Sequence, residues 1–409
     1  MTTGSAPSAG SIVVVAARRT PIGRFLGGLS GFSGPELGAF AVRAVLDDLR
    51  AVGVDRLPDP RVVLGSARQA GAGPNPARQV AVRAGLDEST VALTINMACA
   101  SGLEAIAQAA RLLASGEAES VVAGGMESMS RVPFLLDRMR NGYRLGHAKV
   151  EDAMYRDGFL CPLAEQLMGE TAETLAAQYA ISRSEQDAYA LESQTRATRA
   201  QAAGRFDAEL VAVPSSHKGK PAVTADEHVR GDTTLESLAK LPPVFSADGC
   251  VTAGNASGIT DGAAALVLMR GETARRLGAP VLATLDGWHS AGVDPRVMGI
   301  GPVPAVRELL ARKAAAGGDG SLRSIDLVEL NEAFAAQVLA VDRELAFDRE
   351  KLNVNGGAIA LGHPIGASGA RIVVTLLHEM IKRDARRGLA TLCVSGGMGH
   401  AMLFQRQAA

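Results

Sequence analysis

Residues 11–17 read SIVVVAA, an unbroken β-branched and small apolar run. Such a run predicts a strand buried on both faces of an α/β sheet. Residues 18–23 (RRTPIG) then turn the chain. Beyond them helix-like periods at 36–49 and 76–84 alternate with strand-like runs at 61–65 and 90–97, the last ending just before Cys99. This alternation predicts layered α/β architecture with chemistry placed at strand ends. A helical run covers 103–113, and a second apolar strand starts at 120.

After residue 130 the texture changes. Residues 131–163 are irregular, 169–201 have the period of one or two amphipathic helices with Ser182 and Ser184 as candidate caps, and 205–248 are polar and loop-rich. The core pattern resumes at 260–268. Strands are expected at 280–286 and 325–329, a helix at 304–316, and another helix from Asn331, where an asparagine alone reads as a cap. The expected organisation is a first half over 1–130 completed by 259–280, an inserted loop domain over 131–258 that covers a ligand, and a second half over 281–409.

The densest pattern lies near the end. Residues 356–369 read GGAIALGHPIGASG, followed by an apolar helical run and then by LCVSGGMG at 392–399. Glycines let backbone N–H groups approach a ligand closely, and a helix start favours negative charge, so such a place suits an oxyanion or a thiolate. The design recurs earlier: CASG at 99–102, a helical run, then VVAGGM at 121–126. Matching order predicts an internal repeat with different chemistry in each half, since Cys99 falls opposite Gly366 and Cys393 opposite Val121.

At 409 residues the chain is long for one small domain, and its 47% hydrophobic content is ample for a buried core. The net charge of -1, from 42 basic and 43 acidic residues, provides no global field for nucleic acid or membrane surface, so an anionic ligand must be held locally. Cys99, Cys161, Cys250 and Cys393 lack paired metal spacing, and the chain's beginning does not resemble a secretory signal. A reducing cytoplasm and no metal are expected. No apolar run reaches membrane-spanning length. A P-loop or dinucleotide fingerprint is likewise missing from the sequence.

Five ordered blocks resemble the thiolase family: NMACASG (96–102), GGMESMS (124–130), NEAFA (331–335), NGGAIALGHPIG (355–366) and CVSGGMG (393–399). The likeness runs from about residue 13 to 403 and includes TAGNASG at 252–258. It is to bacterial acetyl-CoA acetyltransferases and 3-ketoacyl-CoA thiolases in particular. The fold this implies is a thiolase-like duplicated αβαβα layered core, two pseudo-symmetric halves with an inserted loop domain. By the same resemblance Cys99 is the acylated nucleophile, activated by His363, and Cys393 exchanges the α-proton of acetyl-CoA. One oxyanion site would use His363 with a water held by Asn331, the other the backbone N–H groups of Cys99 and Ser395. These types suit the chemistry: carbon–carbon bond formation at a thioester needs an acyl carrier, a base for the α-proton and separate donors for two developing oxyanions.

The resemblance also places Arg230 and Ser237 at the adenine nucleotide end of coenzyme A and Ser257 at its pantetheine arm, with Phe245 packing there and Met168 and Met298 near the acyl group. Coenzyme A and acyl-CoA enter as substrates, and no tightly bound cofactor is implied. Two positions depart from the pattern. Ser395 stands where many relatives have glycine, which costs nothing if φ is negative. Leu167 stands where short-chain members commonly carry histidine, which weakens a strict acetoacetyl-CoA assignment. The implied activity is condensation of two acetyl-CoA to acetoacetyl-CoA plus CoA. A broader-chain degradative 3-ketoacyl-CoA thiolase and a silent CoA-binding homologue are the alternatives. Residues 131–153 occupy the place of the family's tetramerisation loop, so a homotetramer is expected.

Overall fold

The apolar run near the start forms the strand at the middle of the sheet. In this computed structural model, which describes residues 8–407, β1 (Ile12–Arg19) buries Val13, Val14, Val15, Ala16 and Ala17. Residues 1–7 and 408–409, at the outer ends of the two expected halves, lie outside the described residues. The other main strands are β2 (Pro60–Gly65), β3 (Val91–Ile95), β4 (Ser120–Ser128), β5 (Thr260–Arg270), β6 (Ala283–Gly292), β7 (Leu327–Leu330), β8 (Arg387–Val394) and β9 (Met398–Gln405). They follow the order β7-β8-β9-β6-β1-β5-β4-β2-β3, and a two-residue strand, Gly23–Arg24, also pairs with β5.

Apart from edge strand β3, which has no counterpart, the order is a palindrome in kind. Two antiparallel pairs, Val13 with Thr284 and Val14 with Ala283, join β1 to β6 at the centre. Outward from there, β4 is antiparallel to β5 and parallel to β2, just as β8 is antiparallel to β9 and parallel to β7. The helices of eight or more residues are α1 (Gly34–Ala51), α2 (Pro76–Arg83), α3 (Ser101–Ser115), α4 (Met168–Gln178), α5 (Arg183–Ala202), α6 (Pro302–Ala315), α7 (Ala335–Leu345) and α8 (Ile365–Lys382). α1 and α2 pack on the outer face of the first half, α6 and α7 on that of the second, and α3 and α8 lie between the halves. This is a duplicated αβαβα core.

Local chemistry accounts for the helices. In α1 the Glu36 carboxylate accepts from the Ser33 amide at 2.8 Å, Pro35 sits in the first turn, and Leu37, Ala41, Val45 and Leu49 make one buried stripe. Ser182 caps α5, accepting from Glu185 N–H, whereas Ser184 does not cap it. The contact between α3 and α8 depends on missing side chains. A Cβ on Gly369 would lie 2.5 Å from the Leu103 nitrogen, and one on Gly102 would lie 2.7 Å from that of Ala370. Backbone therefore meets backbone, bringing together the two helix starts that carry Cys99 and the residues after His363.

The repeat is real, but its register differs from the glycine match. The sequence separation that carries Ser101 onto Ser368 also carries Ser120 onto Arg387 and Met126, not Val121, onto Cys393. Met126 pairs with Ala263 as Cys393 pairs with Gly399. Gly124 and Gly125 lie inside a strand, while Gly396 (φ 89°) and Gly397 (φ 87°) form a turn. Cys99 does fall opposite Gly366.

Residues 131–258 add no strand to the large sheet among the described residues, and contain two short hairpins besides α4 and α5. They are fastened to β1 by a buried ion cluster. Arg19 Nε meets Glu209 at 2.6 Å, and its terminal nitrogens meet Asp226 at 2.7 and 2.9 Å. Arg19→Ala leaves two buried carboxylates without their cation, and is expected to cost about 3–5 kcal/mol. Chemical denaturation measures it; a loss below about 1 kcal/mol would mean the cluster is not a fastening.

Candidate active site

Cys99 is set at the start of α3 by a tight turn. The Asn96 side chain accepts from Ala98 N–H at 2.9 Å, and Ser101 Oγ accepts from Met97 N–H at 2.9 Å while donating to Ala98 C=O at 2.6 Å. Ala98 takes a left-handed φ of 45°, a conformation costing of order 1 kcal/mol in a non-glycine residue, and those bonds hold it there. The backbone amides of Ser395 and of Cys99 itself lie close to the sulfur. Burial pushes the thiol up; Arg68 and the two amides pull it down, and Glu127 opposes them. Ser395 has no left-handed φ, so serine is unstrained at that turn.

His363 follows Gly362 (φ 104°), and its amide donates to Gly258 C=O at 3.1 Å. Its Nδ1 lies 2.5 Å from Ser368 Oγ, which donates to Pro364 C=O at 3.0 Å. A hydroxyl that donates there accepts from Nδ1–H, and Nε2 is then a bare acceptor. Nε2 is buried without a partner among the described residues. Burial above all, with Arg371 and Arg68 adding repulsion, holds the imidazole pKa down to about 3. The ring is neutral at physiological pH.

That depression predicts an acid sensitivity. Between pH 6.5 and 3 the unfolded imidazole binds a proton that the folded one refuses, so stability falls as pH drops, by up to about 1.4 kcal/mol per unit. His363→Asn should flatten this slope. Thermal unfolding at pH 7 and pH 5 tests it; equal losses in both proteins would refute it.

Cys393 is buried near the end of β8 beside Met298, Ala333, Met168 and Phe334. Burial drives its thiol well above the ordinary range, and the charge of Cys99 adds to the shift. Asn331 follows β7, with its amide donating to Thr391 C=O at 3.0 Å. It is not a cap, because α7 begins at Ala335 with Phe334 before it. Both its side-chain Oδ1 and Nδ2 are buried and unpartnered. The adjoining Glu332 is the reverse, its carboxylate accepting from Tyr189, Ser193, Asn353 and Ile359.

One cavity of about 550 Å³ is lined by Cys99, His363, Cys393 and Ser395, and also by Met168, Met298, Phe245, Ser257 and Arg230. Arg230 has two buried guanidinium nitrogens without partners. Phe245 meets Phe334 edge-on at 6.3 Å, and Ser257 N–H donates to Ala333 C=O at 3.0 Å. Leu167 lines the same cavity. Asn331 and Ser237 do not: Ser237 is exposed, and its hydroxyl donates to Thr234 C=O at 2.8 Å.

Four site residues escaped the sequence reading. Ser368 orients His363. Glu127 is buried, and accepts from the amides of Ala67, Arg68 and Gly366, tying the two halves beneath the cavity. Arg68 and His228 line the wall. Ser368 and Glu127 stood inside the quoted motifs; Arg68 and His228 carried no signal.

Two halves of one plan, each bringing a helix start or strand end to a shared cavity, are the architecture of the thiolases, and the chain belongs to that family. Its residues 12–272 match the description "Thiolase, N-terminal domain", and residues 279–406 match "Thiolase, C-terminal domain". It is 51% identical over 398 residues to the acetyl-CoA acetyltransferase of Pseudomonas aeruginosa, covering 97% of this chain and 99% of that one. It is 49% identical over 398 residues to that of Cupriavidus necator, with the same coverage. Among solved structures, Bacillus anthracis acetyl-CoA acetyltransferase matches with a TM-score of 0.92 at 44% identity, covering 97% of this chain and 99% of that one. Human mitochondrial 3-ketoacyl-CoA thiolase in complex with CoA matches at 0.91 and 41%, covering 99% and 100%. Among the described residues no helix is long and apolar enough to cross a membrane.

Proposed function

We propose that the chain is an acetyl-CoA C-acetyltransferase that joins two acetyl-CoA into acetoacetyl-CoA and CoA, reversibly. The observation that carries this reading is the convergence of Cys99, Cys393 and a neutral His363 on one cavity, in a chain about half identical, over nearly its full length, to proteins of that name.

Cys99 gives its proton to the free Nε2 of His363, and its sulfur attacks the acetyl carbonyl. The bond to CoA sulfur breaks, and that sulfur leaves with the proton of Cys393. The acetyl group is now on Cys99, and Cys393 is a thiolate. Because burial disfavours that thiolate, it is a strong base, and it removes an α-proton from the second acetyl-CoA. The enolate oxygen accepts from protonated Nε2 and from a water held by Asn331, whose buried donor and acceptor otherwise lack partners. Carbon attacks the Cys99 thioester, whose oxygen becomes negative against the amides of Cys99 and Ser395. Collapse releases Cys99 sulfur, which recovers its proton from His363.

Residues 131–258 form an inserted domain over coenzyme A, between halves formed by 1–130 with 259–280 and by 281–409. Arg230 with its two open nitrogens supports an anion contact there, with Ser257 and Phe245 along the pantetheine arm. Ser237, occupied in its own helix, supports at most a contact from outside the cavity. The exposed side chains Phe134, Met139, Leu145 and Val150 support a tetramerisation loop, and the exposed Val91 and Leu93 on edge strand β3 support pairing with a second copy. The four free cysteines fit a reducing cytoplasm.

A second reading, a broader-chain 3-ketoacyl-CoA thiolase, is favoured by Leu167, which presents an apolar side chain to the cavity. CoA-dependent thiolysis of acetoacetyl-CoA beside 3-ketooctanoyl-CoA separates the two. A specificity constant about tenfold or more higher for acetoacetyl-CoA is expected; equal or better cleavage of the longer substrate would establish the second reading.

A further inference from the structure

Among the described residues, Arg68, like Arg230, lines the cavity as a cation without a side-chain partner. Arg68 follows β2, and its amide is fixed to Glu127 Oε1 at 3.1 Å. Its guanidinium makes no hydrogen bond or ion pair to any described residue, and its Nε is buried without a partner. It is also propped in place. The guanidinium lies against Gly158, where a Cβ would be 2.5 Å from Nε and 2.7 Å from the central carbon. Gly158 belongs to the turn Tyr155–Phe159, whose two rings meet edge-on at 5.5 Å and line the same wall.

A half-buried cation fixed in a cavity without a protein partner is placed to meet an anion. Of the other groups lining the cavity, Arg24, Arg230, His228 and Tyr155 offer neither a carboxylate nor a thiol. His363 is neutral. Glu127 is committed to three backbone amides, and burial pushes its carboxyl toward the neutral form, which weakens the charge opposing Arg68. Cys393 is held as a thiol by burial. Cys99, which lines the cavity with Arg68 and packs against the cluster containing Ala67, is the group that gains from becoming an anion there.

We propose that Arg68 is a positioning residue whose free charge, steadied on Gly158, stabilises the Cys99 thiolate as it forms. It rests on the reading of Cys99 as the nucleophile. The cation lowers the cost of the sulfur anion before attack and on its release after condensation. It also makes a protonated His363 a stronger acid, so the proton returns promptly.

The test is the pH dependence of Cys99 alkylation by iodoacetamide, followed by peptide mass spectrometry in the full-length protein, with Arg68→Leu, Arg68→Gln and Arg68→Lys. Loss of the charge in Leu and Gln should raise the apparent pKa of Cys99 by about one unit and slow alkylation about tenfold below it. Lysine should restore most of the rate. Unfolding cannot imitate this outcome, because it would expose Cys99 and speed its reaction. Wild-type profiles in Leu and Gln, or a Lys variant as slow as Leu, would overturn the proposal. A wild-type Cys99 that does not react would overturn the nucleophile assignment as well, whereas a reactive Cys99 indifferent to Arg68 would overturn this inference alone.

Discussion

Cys99→Ala incubated with radiolabelled acetyl-CoA takes up no covalent label, and its turnover falls by about 10⁴-fold or more. The expectation follows from where the sulfur sits. It lies at the start of α3 on the cavity wall, close to the amides of Cys99 and Ser395, and shares that cavity with a histidine whose Nε2 has no partner among the described residues. Removal of the acyl carrier leaves binding and both donor sets in place but no atom to hold the acetyl group between the two half-reactions. The side chain is only partly buried, so the exchange changes stability little and the protein should fold and still bind CoA. Label retained on the variant would sink the assignment. Retained label on Cys393 would be more specific, showing that the two thiols had been assigned in the wrong order.

The parts legible beforehand were those decided by short-range pattern. The β-branched run of β1, the paired glycine motifs and the two cysteines can all be read locally, because buried strands and tight turns impose their chemistry on neighbours in sequence. What escaped depended on distant partners. The string GGM occurs twice with opposite outcomes: Gly124 and Gly125 stay in a strand because a Cβ on either would strike a neighbouring backbone oxygen at 2.1 Å, while Gly396 and Gly397 turn with positive φ. β9 was missed because its first residue, Met398, reads as the end of that turn. Asn331 resembled a cap until the structure started the helix at Ala335 and left the amide open. Arg68 lies in an unpatterned Ser-Ala-Arg-Gln stretch, and only the approach of Gly158 from another part of the chain reveals its isolation.

Cys393→Ala should separate the two half-reactions that Cys99→Ala removes together. The variant accepts one acetyl group per chain, since Cys99, His363 and the two amides are untouched, but it cannot generate an enolate. Exchange of the methyl protons of acetyl-CoA with solvent deuterium should disappear, and condensation should fall by about 10³-fold or more, because a positioned base typically contributes 10²–10⁴-fold. Stability should fall by only about 1 kcal/mol, as the lost sulfur leaves a small gap beside Met298 and Ala333. The burial that makes Cys393 a reluctant acid also makes its conjugate base strong, so the activity lost should be greater than a merely packed thiol could explain. An acetylated variant that turns over at the normal rate would overturn the role, and would transfer the base function to His363. A variant that cannot be acetylated would show instead that the proton Cys393 supplies to the departing CoA sulfur is already required in the first half-reaction.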